Sequence, residues 1–307
     1  MIELPFFLEV KGEDLFGIVA VPDESSGQTA ATLLPAGGYT FSPQRNGWGT
    51  RLTRSLAASG VAALRFDWHG IGDSSGRAGN FALDQPFADD ALAVVDMARA
   101  EGWKRHLLVG HCFGARTALA IAPRVDGLGG VALVSPPVRD HARGEGGANR
   151  LAYDIGTAGY LRTAAGKFRW RALSDPAERR RYLRLARSFV RIRLGALKRR
   201  VQQIGGSGVD PVPWVSRPML DQLSWLTDRG VPVLFVYGDE ENDFAEFGEA
   251  RQGRLGEILE KHADTIRIEV VPGSVHGMDR TDTQDRVLEV VTAWASEVTE
   301  RTPLKFS

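Results

Sequence analysis

The sequence predicts an α/β architecture: a mostly parallel central sheet with helices on both faces, interrupted by one helical insertion. Three observations lead there. Short runs rich in Val, Leu and Ile alternate with stretches of helical period along most of the chain. Those runs are continuously apolar rather than alternating with period two, as strands buried on both faces are. One long basic stretch breaks the alternation and carries no strand pattern. At 307 residues, 43% hydrophobic and 25% charged, the chain can bury a sizeable core as one large domain or two small ones. The same composition excludes disorder, collagen and coiled coil.

Taken in order, residues 6–10 and 15–21 on either side of Lys11-Gly12-Glu13-Asp14 read as an opening hairpin. A strand at 32–34 runs into Pro35-Ala36-Gly37-Gly38, and a helix then turns Leu52 and Leu56 inward. Residues 62–66 form the next strand, ending at Asp67. A helix over 86–100 follows, because Phe87, Ala91, Val94, Val95 and Ala98 share one face, with Asp84 as its cap. Next come a strand at 107–110, a helix at 113–122 and a strand at 131–134. After the basic stretch the pattern resumes with a strand at 233–237, a helix near 251–262, a strand at 266–271 and a last helix carrying Val287, Val291, Trp294 and Val298.

Net charge is zero, from 38 basic and 38 acidic residues, so no overall field steers the protein to nucleic acid or a membrane. The distribution is uneven: residues 139–203 hold 17 Lys or Arg against 5 Asp or Glu. There Leu183, Ala186, Val190, Leu194, Leu197 and Val201 form an apolar helical stripe beside a basic one of Arg180, Arg184, Arg187, Arg191 and Lys198. Gly205-Gly206-Ser207-Gly208 with Pro211 and Pro213 reads as a linker back. The expected organisation is a first core part at 1–137, a basic helical lid at 138–225 and a second core part at 226–307. The start MIELPFFLEV lacks the basic flank and cleavage site of a signal peptide. No apolar run approaches the roughly 20 residues of a bilayer span, so a cytoplasmic location is expected.

The chemistry concentrates at Gly110-His111-Cys112-Phe113-Gly114-Ala115, between a strand and an alanine-rich helix. A lone thiol is ordinarily a small apolar core residue. This one stands at the apex of a G-x-nucleophile-x-G arrangement, where a tight strand-to-helix turn leaves room only for hydrogen two residues to either side. A helix N-terminus also offers unpaired N–H groups that favour thiolate. A cysteine nucleophile needs a base and a group to orient it. Among six histidines, His276 in Pro272-Gly273-Ser274-Val275-His276-Gly277 follows the last strand, at the sheet edge where parallel-sheet sites form. His69, His106, His141 and His262 read as stationed elsewhere, and His111 as pointing away from its neighbour. The acid belongs in Tyr237-Gly238-Asp239-Glu240-Glu241-Asn242-Asp243-Phe244, giving the chain order nucleophile, acid, histidine. Glu241 stands first by its spacing three residues past the glycine, Asp243 second by residue type, and Asp239 behind them.

Elbow, acid loop and late histidine together resemble the α/β-hydrolase superfamily over nearly the whole chain. Leu34-Pro35-Ala36-Gly37-Gly38, Arg45-Asn46-Gly47-Trp48 and Leu64-Arg65-Phe66-Asp67-Trp68-His69-Gly70-Ile71-Gly72-Asp73-Ser74 are similar to a bacterial branch of lidded serine-hydrolase-like enzymes. Some of that branch lie beside polyketide or exopolysaccharide assembly genes. The resemblance implies an α/β-hydrolase fold and an oxyanion hole from the Phe113 N–H with a backbone N–H at Gly38 or Tyr39. Two departures stand out: cysteine replaces the usual serine, and the acid loop has no clean Asp at the usual place.

These residues imply an acyl-Cys112 intermediate. Thiolate, with a parent pKa of about 8.5, leaves a tetrahedral adduct more readily than alkoxide, so attack on a plain alkyl ester tends to reverse. Thioesters and activated or cyclic enol esters do not share that handicap. The expected activity is therefore a hydrolase or thioesterase on a small or medium acyl substrate of secondary metabolism, with coenzyme A or an acyl carrier protein as the carrier met by the basic stripe. The alternatives are transfer of the acyl group to an amine, alcohol or thiol, elimination of a carboxylate, and a non-catalytic binding module on the same scaffold. Gly70-Ile71-Gly72-Asp73-Ser74-Ser75-Gly76 misses the dinucleotide spacing and opens no helix, so it reads as a structural turn. No metal-ligand spacing, cofactor motif or nucleic-acid module is recognised.

Overall fold

The computed structural model describes residues 1–23, 28–37, 41, 43–79, 81–140 and 211–301. Eight strands, β1 (Ile2–Val10), β2 (Glu13–Val21), β3 (Thr29–Leu34), β4 (Ala62–Phe66), β5 (Arg105–His111), β6 (Leu128–Val134), β7 (Val233–Gly238) and β8 (Ile266–Val271), form one sheet in the order β1-β2-β4-β3-β5-β6-β7-β8. β1 and β2 are an antiparallel hairpin, and β2 meets β4 antiparallel. From β4 to β8 every pairing is parallel, as the continuously apolar runs predict. The hairpin is longer than expected: β1 begins at Ile2, and only Lys11 and Gly12 remain as the turn.

Seven helices accompany the sheet among the described residues: α1 (Trp48–Ala58), α2 (Ala88–Ala100), α3 (Phe113–Ile121), α4 (Arg217–Thr227), α5 (Asn242–Ala250), α6 (Arg254–Lys261) and α7 (Thr281–Arg301). Because strand side chains alternate between faces, each apolar run supplies two cores. Ala31, Leu33, Ala63, Leu107, Val109, Ala132, Val134, Leu234 and Val236 share one cluster with Leu52 and Leu56 of α1 and Val287, Val291, Trp294 and Val298 of α7. The intervening strand residues face the side where α2, α3 and α4 pack on one another. Gly130 on β6 makes room for α7: a Cβ there would lie 2.9 Å from the Trp294 ring.

Two expected helices differ. α2 starts at Ala88 with Phe87 as its cap residue and no side-chain cap bond, so Asp84 does not cap it. The Phe87 ring is instead drawn into a cluster with Trp68, Phe81 and Phe113 at 5.6, 5.0 and 5.2 Å, which fixes the approach to the helix by packing. The helix expected near 251–262 is α6, and α5 precedes it in what the sequence reads as an acidic loop.

The chain divides into two units, 1–141 with 214–307 and 142–213, and the sheet belongs to the first. Residues 141–210, including both stripes of the expected lid, lie outside the described residues. α4 starts within the stretch 138–225, runs two residues beyond it, and packs against α3 and α6, burying Met219, Leu220, Leu223 and Leu226. The segments on either side of the undescribed stretch meet through a bridge between Arg139 and Val215 and a bond from the Ser216 N–H to Val138 O, 2.9 Å. The buried Arg116 of α3 donates to Pro137 O (3.2 Å), Asp140 (2.6 Å) and Ser216 Oγ (2.6 Å).

The Gly130 and Trp294 fit predicts a coupled pair. Trp294→Ala should destabilise by about 3–5 kcal/mol through the void it leaves, and Gly130→Val by about 1–3 kcal/mol through overpacking. Because the valine enters the space the ring vacates, the double variant should lose less than the two together, which urea unfolding of all four proteins measures.

Candidate active site

The parallel strands end along one edge, and the loops that leave them carry the candidate residues. Cys112 sits between β5 and α3 with φ 51° and ψ −108°. A non-glycine residue there is strained by about 1–3 kcal/mol and persists only when its surroundings hold it. Here the Cys112 N–H donates to Val134 O at 2.9 Å, and its carbonyl accepts from the N–H groups of Ala115 (3.1 Å) and Arg116 (3.3 Å). The two flanking glycines answer different contacts. A Cβ on Gly110 would lie 2.5 Å from Ala115 Cα, inside the bend itself, whereas one on Gly114 would lie 2.6 Å from Pro35 O, where β3 exits.

Positive φ at non-glycine residues is concentrated here. Apart from Lys11 in the hairpin turn, the described cases are Gln44, Asn46, Cys112, Ser135 and Met278, all in loops following parallel strands. Asn46, with φ 53°, donates through Nδ2 to Met278 O at 2.8 Å, and Gln284 donates to the same oxygen at 2.7 Å. The Arg45-Asn46-Gly47-Trp48 motif therefore pins the loop that carries His276.

The acidic segment after β7 grips that loop at three points. Asp239 Oδ1 accepts the Gly273 N–H at 2.8 Å. Glu241 accepts the Gly238 N–H through Oε1 (2.6 Å) and the His276 N–H through Oε2 (2.8 Å). Asp243 Oδ2 faces His276 Nδ1 at 3.2 Å. The partner of the ring is thus Asp243, not the first-ranked Glu241, and the reason is local. α5 begins at Asn242, so Asp243 lies in its first turn, while Glu241 is the extended residue before the helix (φ −112°, ψ 147°) and spends its carboxylate on backbone. Burial pushes the Glu241 carboxyl up, against the pull of its two backbone donors.

Cys112, buried at 7% exposure, also acts on the His276 ring. The imidazole is pushed up to about 10, first by the bond to Asp243, then by Cys112, with burial opposing both. His106, the fully buried histidine of β5, moves the other way, to about 4, because burial dominates there. His111 is buried too: its Nδ1 lies 3.4 Å from Gln44 Oε1, and its ring stands 5.3 Å from Trp48 and 5.9 Å from His276. His69 pairs with Asp90 at 2.7 Å, and His262 with Asp228 at 3.2 Å. His141 lies outside the described residues.

The Phe113 N–H opens α3 with no acceptor among the described residues. Gly38 and Tyr39 lie outside the described residues. The backbone just before them runs against Phe113, since a Cβ on Gly37 would lie 2.9 Å from Phe113 Cβ. The glycine-rich stretch after β4 is a tight turn closed on Asp67, which accepts the Asp73 N–H (3.1 Å) and, through its carbonyl, the Ser74 hydroxyl (2.8 Å). Among the described residues no His, Cys, Asp and Glu side chains gather as a metal site, and no helix is long and apolar enough to cross a membrane. Sequence reasoning missed Ser135, whose Oγ donates to Asp243 Oδ2 at 3.3 Å. Its position at the C-terminal end of a parallel strand was the available signal.

The family model described as serine aminopeptidase, S33, matches residues 45–184. No curated protein matches the sequence. Solved structures similar to this chain include a proline iminopeptidase from Mycobacterium smegmatis, at 17% identity over 96% of this chain and 98% of that one, with a TM-score of 0.53. Est1E from Butyrivibrio proteoclasticus, solved with ferulic acid bound, matches at 17% identity over 96% and 100%, with a TM-score of 0.55. The haloalkane dehalogenase DatA from Agrobacterium tumefaciens C58 matches at 15% identity over 96% and 97%, with a TM-score of 0.52. Different chemistries on one scaffold mean that the bond acted on must be argued from the site. The strand order, the strained bend at Cys112 and these likenesses give the chain the α/β-hydrolase fold.

Proposed function

We propose that the protein is an acyl hydrolase of thioesterase type in which Cys112 carries the acyl group, His276 moves the proton and Asp243 holds the ring. The observation that supports this reading is one imidazole, His276, placed 3.2 Å from Asp243 and raised by both that carboxylate and Cys112. With its imidazole raised to about 10, His276 already holds the proton that leaves Sγ, and the thiolate attacks the acyl carbon as the carbonyl electrons move to oxygen. The Phe113 N–H and a backbone N–H of the loop after β3 meet that oxyanion, an interaction of about 3–4 kcal/mol per donor in other enzymes. Collapse expels the leaving thiol or enol with the proton from His276, leaving acyl-Cys112. Water then gives a proton to His276 and attacks the thioester, and the sulfur departs as the carboxylic acid forms.

Thioesters and activated or cyclic enol esters suit this nucleophile, because their leaving groups compete with thiolate and an alkoxide does not. Coenzyme A or an acyl carrier protein is the proposed carrier, met by the basic stripe at 180–198. Glu241 is a positioning residue: it fixes the backbone of His276 and touches no reacting atom.

Mixing the protein with a short acyl thioester and quenching early should show the acyl mass on Cys112 by intact-protein mass spectrometry, with free acid as the product. Absence of any adduct, or failure of iodoacetamide to label Cys112 below pH 8, overturns the reading. If an added amine or thiol acceptor is acylated instead, the acyl-enzyme stands and the second half-reaction is transfer. Asp243→Asn should lower kcat/KM roughly 10²–10⁴-fold in steady-state assays, since the ring loses both its orientation and its charge partner. The pH dependence follows from the raised imidazole. Its folded value of about 10 lies above the ordinary 6.5, so its contribution to stability is fully present below about pH 6.5 and is lost as pH rises through about 10. The alkaline limb of kcat/KM should fall near the same value in wild type and at lower pH in Asp243→Asn.

A further inference from the structure

The residue that follows β6 is held in a constrained backbone conformation. Ser135 is fully buried with φ 46°, and its N–H donates to Val236 O on β7 at 2.8 Å. The two residues after it are tied from opposite sides. Tyr237 Oη donates to Pro136 O at 2.9 Å, and Arg116 donates to Pro137 O at 3.2 Å. β7 and α3, the elements that lead to the acid and away from the nucleophile, thus both fix the turn from which the Ser135 side chain extends. Its hydroxyl donates to Asp243 Oδ2 at 3.3 Å, the same oxygen that faces His276 Nδ1 at 3.2 Å. Glu241 and Glu246 both bring like charge to that carboxylate. A neutral donor is what a carboxylate so crowded gains most from, and donors to charged groups contribute about twice what neutral pairs do.

We propose that Ser135 is a positioning residue of this site, whose hydroxyl holds Asp243 Oδ2 in line with His276 Nδ1. The strained backbone is then the means by which a strand-end residue is turned toward α5. The proposal rests on reading Asp243 as the acid of a Cys112–His276 pair. It predicts an effect on the proton-moving step rather than on substrate binding.

Ser135→Ala keeps Cβ and loses only the hydroxyl, while Ser135→Gly also relieves the positive φ and remains a valid test if the alanine variant does not fold. Both should lower kcat on an acyl thioester by about tenfold with KM unchanged. In ¹⁵N-histidine-labelled protein, the His276 titration should move down from its wild-type midpoint toward 6.5 in both variants. Wild-type kcat with an unmoved His276 titration overturns the proposal, and so does a loss of kcat without any change in that titration, which is the mark of a merely structural residue. If the wild-type protein neither acylates Cys112 nor turns over a thioester, the nucleophile reading fails by itself, and the histidine titration still decides whether Ser135 acts on Asp243 and His276.

Discussion

The bend at Cys112 is the constraint on which the rest of the site depends. A cysteine at φ 51° is unfavourable alone, and three neighbouring elements keep it there. β6 accepts its N–H, the first turn of α3 closes on its carbonyl, and the exit of β3 presses against Gly114. Two of these contacts come from strands of the parallel ladder β3-β5-β6, and α3 follows directly from β5. Register in that ladder therefore sets where the sulfur stands, and a slip of one residue would turn it to the other face of the sheet.

The partner loop is held with equal economy. No regular element carries His276, so its position must be imposed from outside. Asp239, Glu241 and Asp243 take, in turn, the Gly273 N–H, the His276 N–H and the ring. Asn46 and Gln284 fasten the chain at Met278, two residues beyond the ring. A cluster of acidic residues in one short segment would repel itself in water. Here the charges are distributed over backbone donors and an imidazole, and the raised His276 is the electrostatic counterpart of that arrangement. The same residue type in β5 is lowered because burial outweighs the pull of Asp96 and Asp126 there.

Much of the architecture was legible in the residues. Continuous apolar runs mean strands covered on both faces, and the parallel sheet from β4 to β8 follows. Spacing of Gly110, Cys112 and Gly114 required a tight bend between strand and helix, and the late histidine on a glycine-flanked loop stood at the sheet edge. The start of α2 and the whole of α5 were not legible. Phe87 stops the first by packing among aromatic rings, and the second is short and starts inside a run of carboxylates that reads as a loop.

The sequence alone determined the fold class and singled out Cys112 and His276, because periodicity, glycine placement and the rarity of a thiol are properties of residue order. Only the tertiary structure set Asp243 against the His276 ring and Glu241 against its backbone, and brought Ser135 and Asn46 beside them. Those choices depend on side-chain direction and on contacts across strands more than 100 residues apart, and hydrogen bonds between such distant residues leave no periodic trace along the chain.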